Sequence, residues 1–164
     1  MPRRGELWGT VGNRSPSREG FVEVYFAGEF AHSLDEKGRL AIPAKFRVRF
    51  KEGAVVTRWT GECLAVWPTK EWAALNADIA KRPRTDPAAT RFRHFLLGSA
   101  HEADLDAQGR VTVPAHLRKF ARLEGDAVVV GISDHLEVWE PGRWRANLAS
   151  VQSQVANDLK DLGV

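Results

Sequence analysis

Residues 34–47 read LDEKGRLAIPAKFR, and residues 105–118 read LDAQGRVTVPAHLR. At an offset of 71 positions Leu, Asp, Gly, Arg, Pro, Ala and Arg are identical, and Leu40/Val111, Ile42/Val113 and Phe46/Leu117 match in apolar character. One added residue then moves the offset to 72. There CLAVW (63–67) lies against HLEVW (135–139), and Trp72 against Trp144. Chance does not produce agreement at so many positions. The chain is therefore a duplicated module of about 45 residues, not a solenoid, whose repeats are shorter and more numerous.

Each copy predicts the same local structure. A short strand reaches Asp35 or Asp106, and D-x-x-G predicts a tight turn in which Gly38 or Gly109 takes positive φ. Alternation then predicts a second strand, with Leu40 and Ile42 on one face in the first copy and Val111 and Val113 in the other. Pro43 and Pro114 end that strand and suit the first turn of a short helix, AKFRVRF or AHLRKFA. A hairpin follows, AVVTRW–TGE–CLAVW or AVVVGI–SD–HLEVW. A helix closes each copy: about 69–82 with Thr69 as N-cap, and about 141–161 with Trp144, Leu148, Val151, Val155 and Leu159 on one face. Between the copies, Asp86-Pro87 starts a further helix that carries Phe92, Phe95 and Leu96 and stops at Gly98.

These signals divide the chain into repeat one at 29–70, a helical spacer at 71–99, repeat two at 100–143 and a C-terminal helix at 144–164. Residues 1–25, with Arg3, Arg4, Arg14 and Arg18 and little periodicity, are expected to be a disordered basic extension or to precede the real start. One repeat alone buries too little apolar surface to offset its chain entropy, and its short strands leave open edges. Two repeats packed about a pseudo-two-fold axis answer both problems. The expected fold is α+β and β-rich: one β-barrel built from both repeats, with flanking helices.

Composition narrows the function. With 164 residues, 43% hydrophobic and 27% charged, the chain has the make-up of an ordinary globular protein. No apolar run approaches the ~18–20 residues of a membrane helix, and the N-terminus lacks an apolar signal core. A lone Cys63 excludes an internal disulfide framework and a multi-cysteine zinc site, and points to the cytosol. No G-x-S-x-G, H-E-x-x-H, Walker loop or C-x-x-C occurs, so no catalytic residue is expected. His32, His94, His101, His116 and His135 are scattered, with no pair at metal-ligand spacing. No metal or cofactor is expected.

The charge is uneven. The chain carries +3 in all, yet residues 34–51 hold +4 and residues 105–122 hold +3, leaving −4 for everything else. Arginine clustered on one face is the electrostatic footprint of nucleic-acid binding. Its planar fork grips phosphate and also reads guanine O6 and N7. The candidate DNA-binding residues are Asp35, Lys37, Arg39 and Arg47 in one copy and Asp106, Arg110 and Arg118 in the other. Gly38, Pro43, Gly109 and Pro114 are candidates for shaping the turn and helix start. Arg39 and Arg110 are expected at hairpin tips. Asp35 and Asp106 serve the turn itself or hold the arginine in one rotamer before DNA arrives. Arg47 and Arg118 contact DNA, stay solvated or join internal ion pairs. Trp67, Trp72, Trp139 and Trp144 sit among apolar residues and are expected to pack rather than to stack on bases. An antitoxin-like or scaffolding module and an RNA-binding protein are the competing readings, although the aromatic signature typical of RNA binders is absent.

With both copies of D-x-x-G-R-x-x-x-P-x-x-x-R in view, the sequence resembles the MraZ family of transcriptional regulators. FAGEFAHSLDEKGRLAIPAKFR is similar to the family's opening and FLLGSAHEADLDAQGRVTVPAHLR to its second half; the resemblance covers roughly residues 26–160. It implies two SpoVT/AbrB-type domains folded as a swapped-hairpin barrel in one chain, and a ring-like homo-oligomer. It also implies binding of double-stranded DNA at tandem promoter repeats upstream of the division and cell-wall gene cluster, usually with repression. Asp35/Arg39 and Asp106/Arg110 match the family's paired signature. The location implied is cytoplasmic and nucleoid-associated, with no membrane partner.

Overall fold

A computed structural model describes residues 25–164, so the expected N-terminal extension lies outside the described residues except for Tyr25. Repeat one runs through β1 (Phe26–Ser33), β2 (Arg39–Ala41), a 3-10 helix (Ala44–Phe50), β3 (Ala54–Arg58), β4 (Leu64–Pro68) and α1 (Thr69–Ala80). The spacer forms α2 (Pro87–Leu96) and a 3-10 turn (Leu97–Ser99). Repeat two follows as β5 (His101–Ala103), β6 (Arg110–Thr112), α3 (Ala115–Ala121), β7 (Asp126–Ser133), β8 (His135–Trp139) and α4 (Pro141–Gln152), with α5 (Val155–Asp161) at the end.

The fold is α+β, dominated by a six-stranded antiparallel sheet in the order β1-β7-β8-β4-β3-β5, beside a two-stranded ribbon of β2 and β6. Each repeat lends its first strand to the other's hairpin. β1 pairs with β7 from Phe26↔Ser133 to Ser33↔Asp126, and β5 pairs with β3 from Ala54↔Ala103 to Val56↔His101. The two hairpins meet at the centre through β4 and β8. β1 and β5 stand at the two ends of the order. The ribbon ladder stops where Pro43 and Pro114, which lack an N–H, follow the strands.

Alternation along the strands deals side chains to two faces. Ala54, Val56, Leu64, Val66, Val129, Leu136 and Val138 face the ribbon and pack with Leu40, Ile42, Val111 and Val113, while Phe46, Phe50, Leu117 and Ala121 of the short helices close this core. On the opposite face Val55, Ala65 and Trp67 pack with Trp72 of α1 and Leu96 of α2. Cys63, Val130 and Trp139 form a smaller group against Trp59 and Trp144. The matched tryptophans are thus packing residues; Trp144 is half-buried and donates its Nε1–H to Glu29 Oε1 at 2.5 Å. β4 is buried along its whole length because both of its faces are covered.

The helix ends depart from expectation in four places. Thr69 does not cap α1: Pro68 holds that position, and the Thr69 hydroxyl donates to Glu52 O at 3.2 Å instead. Asp86 does cap α2, accepting from Ala88 N and Ala89 N, but Gly98 does not stop it, since the chain continues into the 3-10 turn. The segment expected as one helix over 141–161 breaks at Ser153–Gln154, where the Ser153 hydroxyl turns back to Ser150 O at 2.8 Å. Finally, AKFRVRF is a 3-10 helix whereas AHLRKFA is an α-helix. The added residue explains the difference: Arg122 takes a left-handed conformation, Leu123 N bonds Arg118 O at 2.9 Å, and the Leu123 side chain is buried.

Candidate nucleic-acid interface

Each motif turn is built around its aspartate. Asp35 Oδ1 accepts from Lys37 N and Arg39 N, both at 2.9 Å, while Oδ2 accepts from Arg39 Nε at 2.6 Å. Asp106 repeats the pattern with Gln108 N and Arg110 N at 2.9 Å and Arg110 Nε at 2.8 Å. Gly38 N and Gly109 N close the turns onto Asp35 O and Asp106 O, with φ of 72° and 73°. One carboxylate therefore does both things left open above: it ties the turn and holds the arginine. The backbone N–H donors, reinforced by the arginine, keep both carboxyls below the usual carboxylate range, so they are ionised at neutral pH.

The turns stand side by side. Leu40 pairs with Val111 in the ribbon, Ile42 N bonds Gly109 O at 2.9 Å, and Val113 N bonds Gly38 O at 2.8 Å. Arg110 Nη1 reaches across to Asp35 Oδ2 at 3.5 Å. Both arginines are about one-quarter to one-third exposed, at 29% for Arg39 and 26% for Arg110. The contact to each own aspartate uses the inner Nε, and Arg110 turns its Nη1 to the neighbouring Asp35 as well. Pairing also cancels the formal charge of the four residues together, so the positive field here comes from their neighbours. Lys37 and Arg47 are exposed, and Lys45 Nζ lies 4.9 Å from the ring centres of Phe30 and Phe46. Arg49 is turned to Glu71 at 2.5 Å.

Arg47 and Arg118 are placed where the sequence did not point. Arg47 donates its Nε–H to Ile42 O at 3.0 Å and lies against Gly109, so closely that a Cβ on that glycine would overlap it. Arg118 lies against Gly38, where a Cβ would stand 2.9 Å from its Cζ. Each arginine thus crosses to the turn of the other repeat. The signal for this was present: glycine and the terminal arginine are identical in both copies. Spacing within one copy, however, cannot reveal a contact made by the other. Pro43 and Pro114 sit one residue before their helices, as N-caps rather than inside the first turn. No group of three or more His, Cys, Asp and Glu among the described residues could hold a metal ion. Nor is any described helix long and apolar enough to cross a membrane.

Comparison with known proteins agrees with the duplication. Residues 25–95 and 96–161 each match the family model described as "MraZ protein, putative antitoxin-like". The chain is similar to a Natranaerobius thermophilus protein named Transcriptional regulator MraZ, 39% identical over 137 residues, covering 84% of this chain and 96% of that one. Proteins of the same name from Lactiplantibacillus plantarum and a Nocardioides species are each 42% identical, over 84% and 80% of this chain and 94% and 91% of theirs.

Proposed function

The chain belongs to the MraZ family, and from that premise we propose that it is a sequence-specific DNA-binding regulator of transcription that grips tandem promoter repeats through its paired Asp–Arg turns. The family is one of transcriptional regulators rather than enzymes. The observation that supports the reading most is the adjacency of two guanidinium groups, each held in place through Nε by its own turn. A side chain already fixed loses less entropy on binding. The outer edge of each fork matches guanine O6 and N7, and a two-stranded ribbon fits the major groove. In this reading Arg39 and Arg110 read bases, Asp35 and Asp106 orient them, Lys37 supplies positive charge toward phosphate, and Arg47 and Arg118 belong to the interface from beneath the two turns. On the same reading, the sheet and ribbon are the two walls of a swapped-hairpin barrel. The target is the promoter of the division and cell-wall cluster, the usual effect is repression, and the protein works in the cytoplasm on the nucleoid without a cofactor.

A mobility-shift assay tests this directly, using duplex DNA from upstream of the chain's own gene, a scrambled duplex and RNA of the same sequence. The first is expected to shift alone. Equal retardation of the scrambled duplex, or preference for RNA, overturns the proposal.

We also assign the homo-oligomer to the C-terminal helices. Leu148, Val151, Val155 and Leu159 are 42–48% exposed. At the matched place in repeat one, Trp72 and Leu75 of α1 are covered by Phe92 and Leu96 of α2. Nothing among the described residues covers α4 and α5 in the same way. Copies joined head to tail through this face would close a ring that presents many turn pairs to successive DNA repeats, raising affinity through effective concentration. Leu148→Glu with Leu159→Glu is expected to reduce the mass measured by light scattering to that of a smaller species, and an unchanged mass removes this assignment.

A further inference from the structure

Arg47 and Arg118 pose a question that a simple phosphate contact does not answer. Each leaves its own repeat and lies under the glycine of the opposite turn. Gly38 and Gly109 are buried despite standing in surface turns, and what covers the inner side of each includes that arginine. The arrangement is reciprocal: Arg118 of α3 lies against Gly38, and Arg47 of the Ala44–Phe50 helix lies against Gly109. Arg47 is itself anchored, Nε to Ile42 O at 3.0 Å, at the end of the strand that pairs with the turn it touches. Arg118 Nε is buried with no hydrogen-bond partner among the described residues. An unpaired buried donor is costly, and the side chain keeps its place against Gly38 without a hydrogen bond from Nε.

We infer that Arg47 and Arg118 are positioning residues, each bracing the Asp–Arg turn of the opposite repeat so that the two turns are set relative to one another. The inference rests on the proposed role of the turns in DNA binding, but its geometry lies within the free protein. The planar guanidinium lies against the glycine because no Cβ intervenes, and that glycine immediately precedes Arg39 or Arg110 in the chain. A displaced brace would let the turn move and the reading arginine with it. Misplacement by about 1 Å is enough to loosen a preorganised contact. The brace also joins the repeats: whatever moves one turn moves a helix of the other copy.

The test uses the full chain carrying Arg118→Lys or Arg47→Lys, which keep charge and stem but lose the plane, with the alanine variants beside them. The first readout is hydrogen–deuterium exchange of the free protein over peptides 34–42 and 105–113. Arg118→Lys is expected to speed exchange about tenfold in 34–42 and less in 105–113, whose Val113 N–H is bonded to Gly38 O, and Arg47→Lys to do the reverse. Acceleration confined to the variant's own repeat, or none at all, overturns the inference. This arm needs no DNA and so stands apart from the proposed function, which fails separately if the parent chain does not shift its duplex.

The second readout is a double-mutant cycle on the operator. Arg118→Lys should couple with Arg39→Ala by about 2- to 150-fold and more weakly with Arg110→Ala, which touches the braced turn only through Asp35. A direct phosphate contact predicts instead that lysine restores binding and that Arg118→Ala lowers the salt slope by about one. That result overturns the bracing role.

Discussion

A chain carrying Arg39→Ala together with Arg110→Ala is expected to lose sequence-specific DNA binding while melting within a few degrees of its parent. Each bidentate contact from arginine to guanine contributes ~1–3 kcal/mol of discrimination, so two contribute ~2–6 kcal/mol, or about 30- to 10⁴-fold in affinity for the operator. The stability cost is small by comparison. Both arginines are partly exposed, and their ion pairs with Asp35 and Asp106 are of the surface kind, which water screens and which contribute little to stability. The hydrogen bonds that build the turns are backbone N–H donors to the aspartates and survive the substitution. A loss of 1 kcal/mol lowers the melting temperature of a chain this size by about 2–4 °C. Fluorescence anisotropy with operator and scrambled duplexes, alongside calorimetry, checks both halves. Operator affinity retained by the double variant removes the reading role, and a collapse of the melting temperature makes the arginines structural.

Salt is expected to have an effect of similar size on the parent chain. If an assembled ring neutralises roughly 6–10 phosphates, affinity falls ~10³–10⁵-fold between 50 and 200 mM salt, because each contact releases a condensed counterion. The geometry says which groups carry this dependence. Arg39 and Arg110 are offset by their aspartates, whereas Lys37 and its basic neighbours are not paired in that way. The Arg39→Ala, Arg110→Ala chain should therefore keep a weak, salt-sensitive affinity for any duplex while its preference for operator disappears. Binding that is flat across the same range points to a partner other than nucleic acid.

Much of the site was legible in the sequence because its chemistry is local. Asp35 and Gly38 lie three residues apart, and a short polar side chain beside a glycine makes the same turn wherever it occurs. Arg39 follows at once, so its place beside the carboxylate is a consequence of chain connectivity. The apolar runs AVVTRW and CLAVW likewise announced a hairpin, whereas the covering of both its faces, Val55 and Ala65 on one and Val56 and Val66 on the other, came with the structure. The helix ends were less legible. Whether Thr69 caps α1 depends on Glu52, seventeen positions earlier, which takes its hydroxyl instead. The fate of AKFRVRF against AHLRKFA turned on one inserted residue, Leu123, that only a buried site makes meaningful.

By itself, then, the sequence determined the duplication, the two Asp-Gly-Arg turns and the concentration of positive charge around them, since these are properties of neighbouring residues. Only the tertiary structure decided that β1 joins β7, that β5 joins β3, and that Arg47 and Arg118 reach the turns of the opposite repeat. In two near-identical copies a strand or an arginine meets chemically equivalent partners in its own repeat and in the other. Local preference cannot choose between them. The choice falls to the packing of both repeats around one core, which exists only once the whole chain has folded.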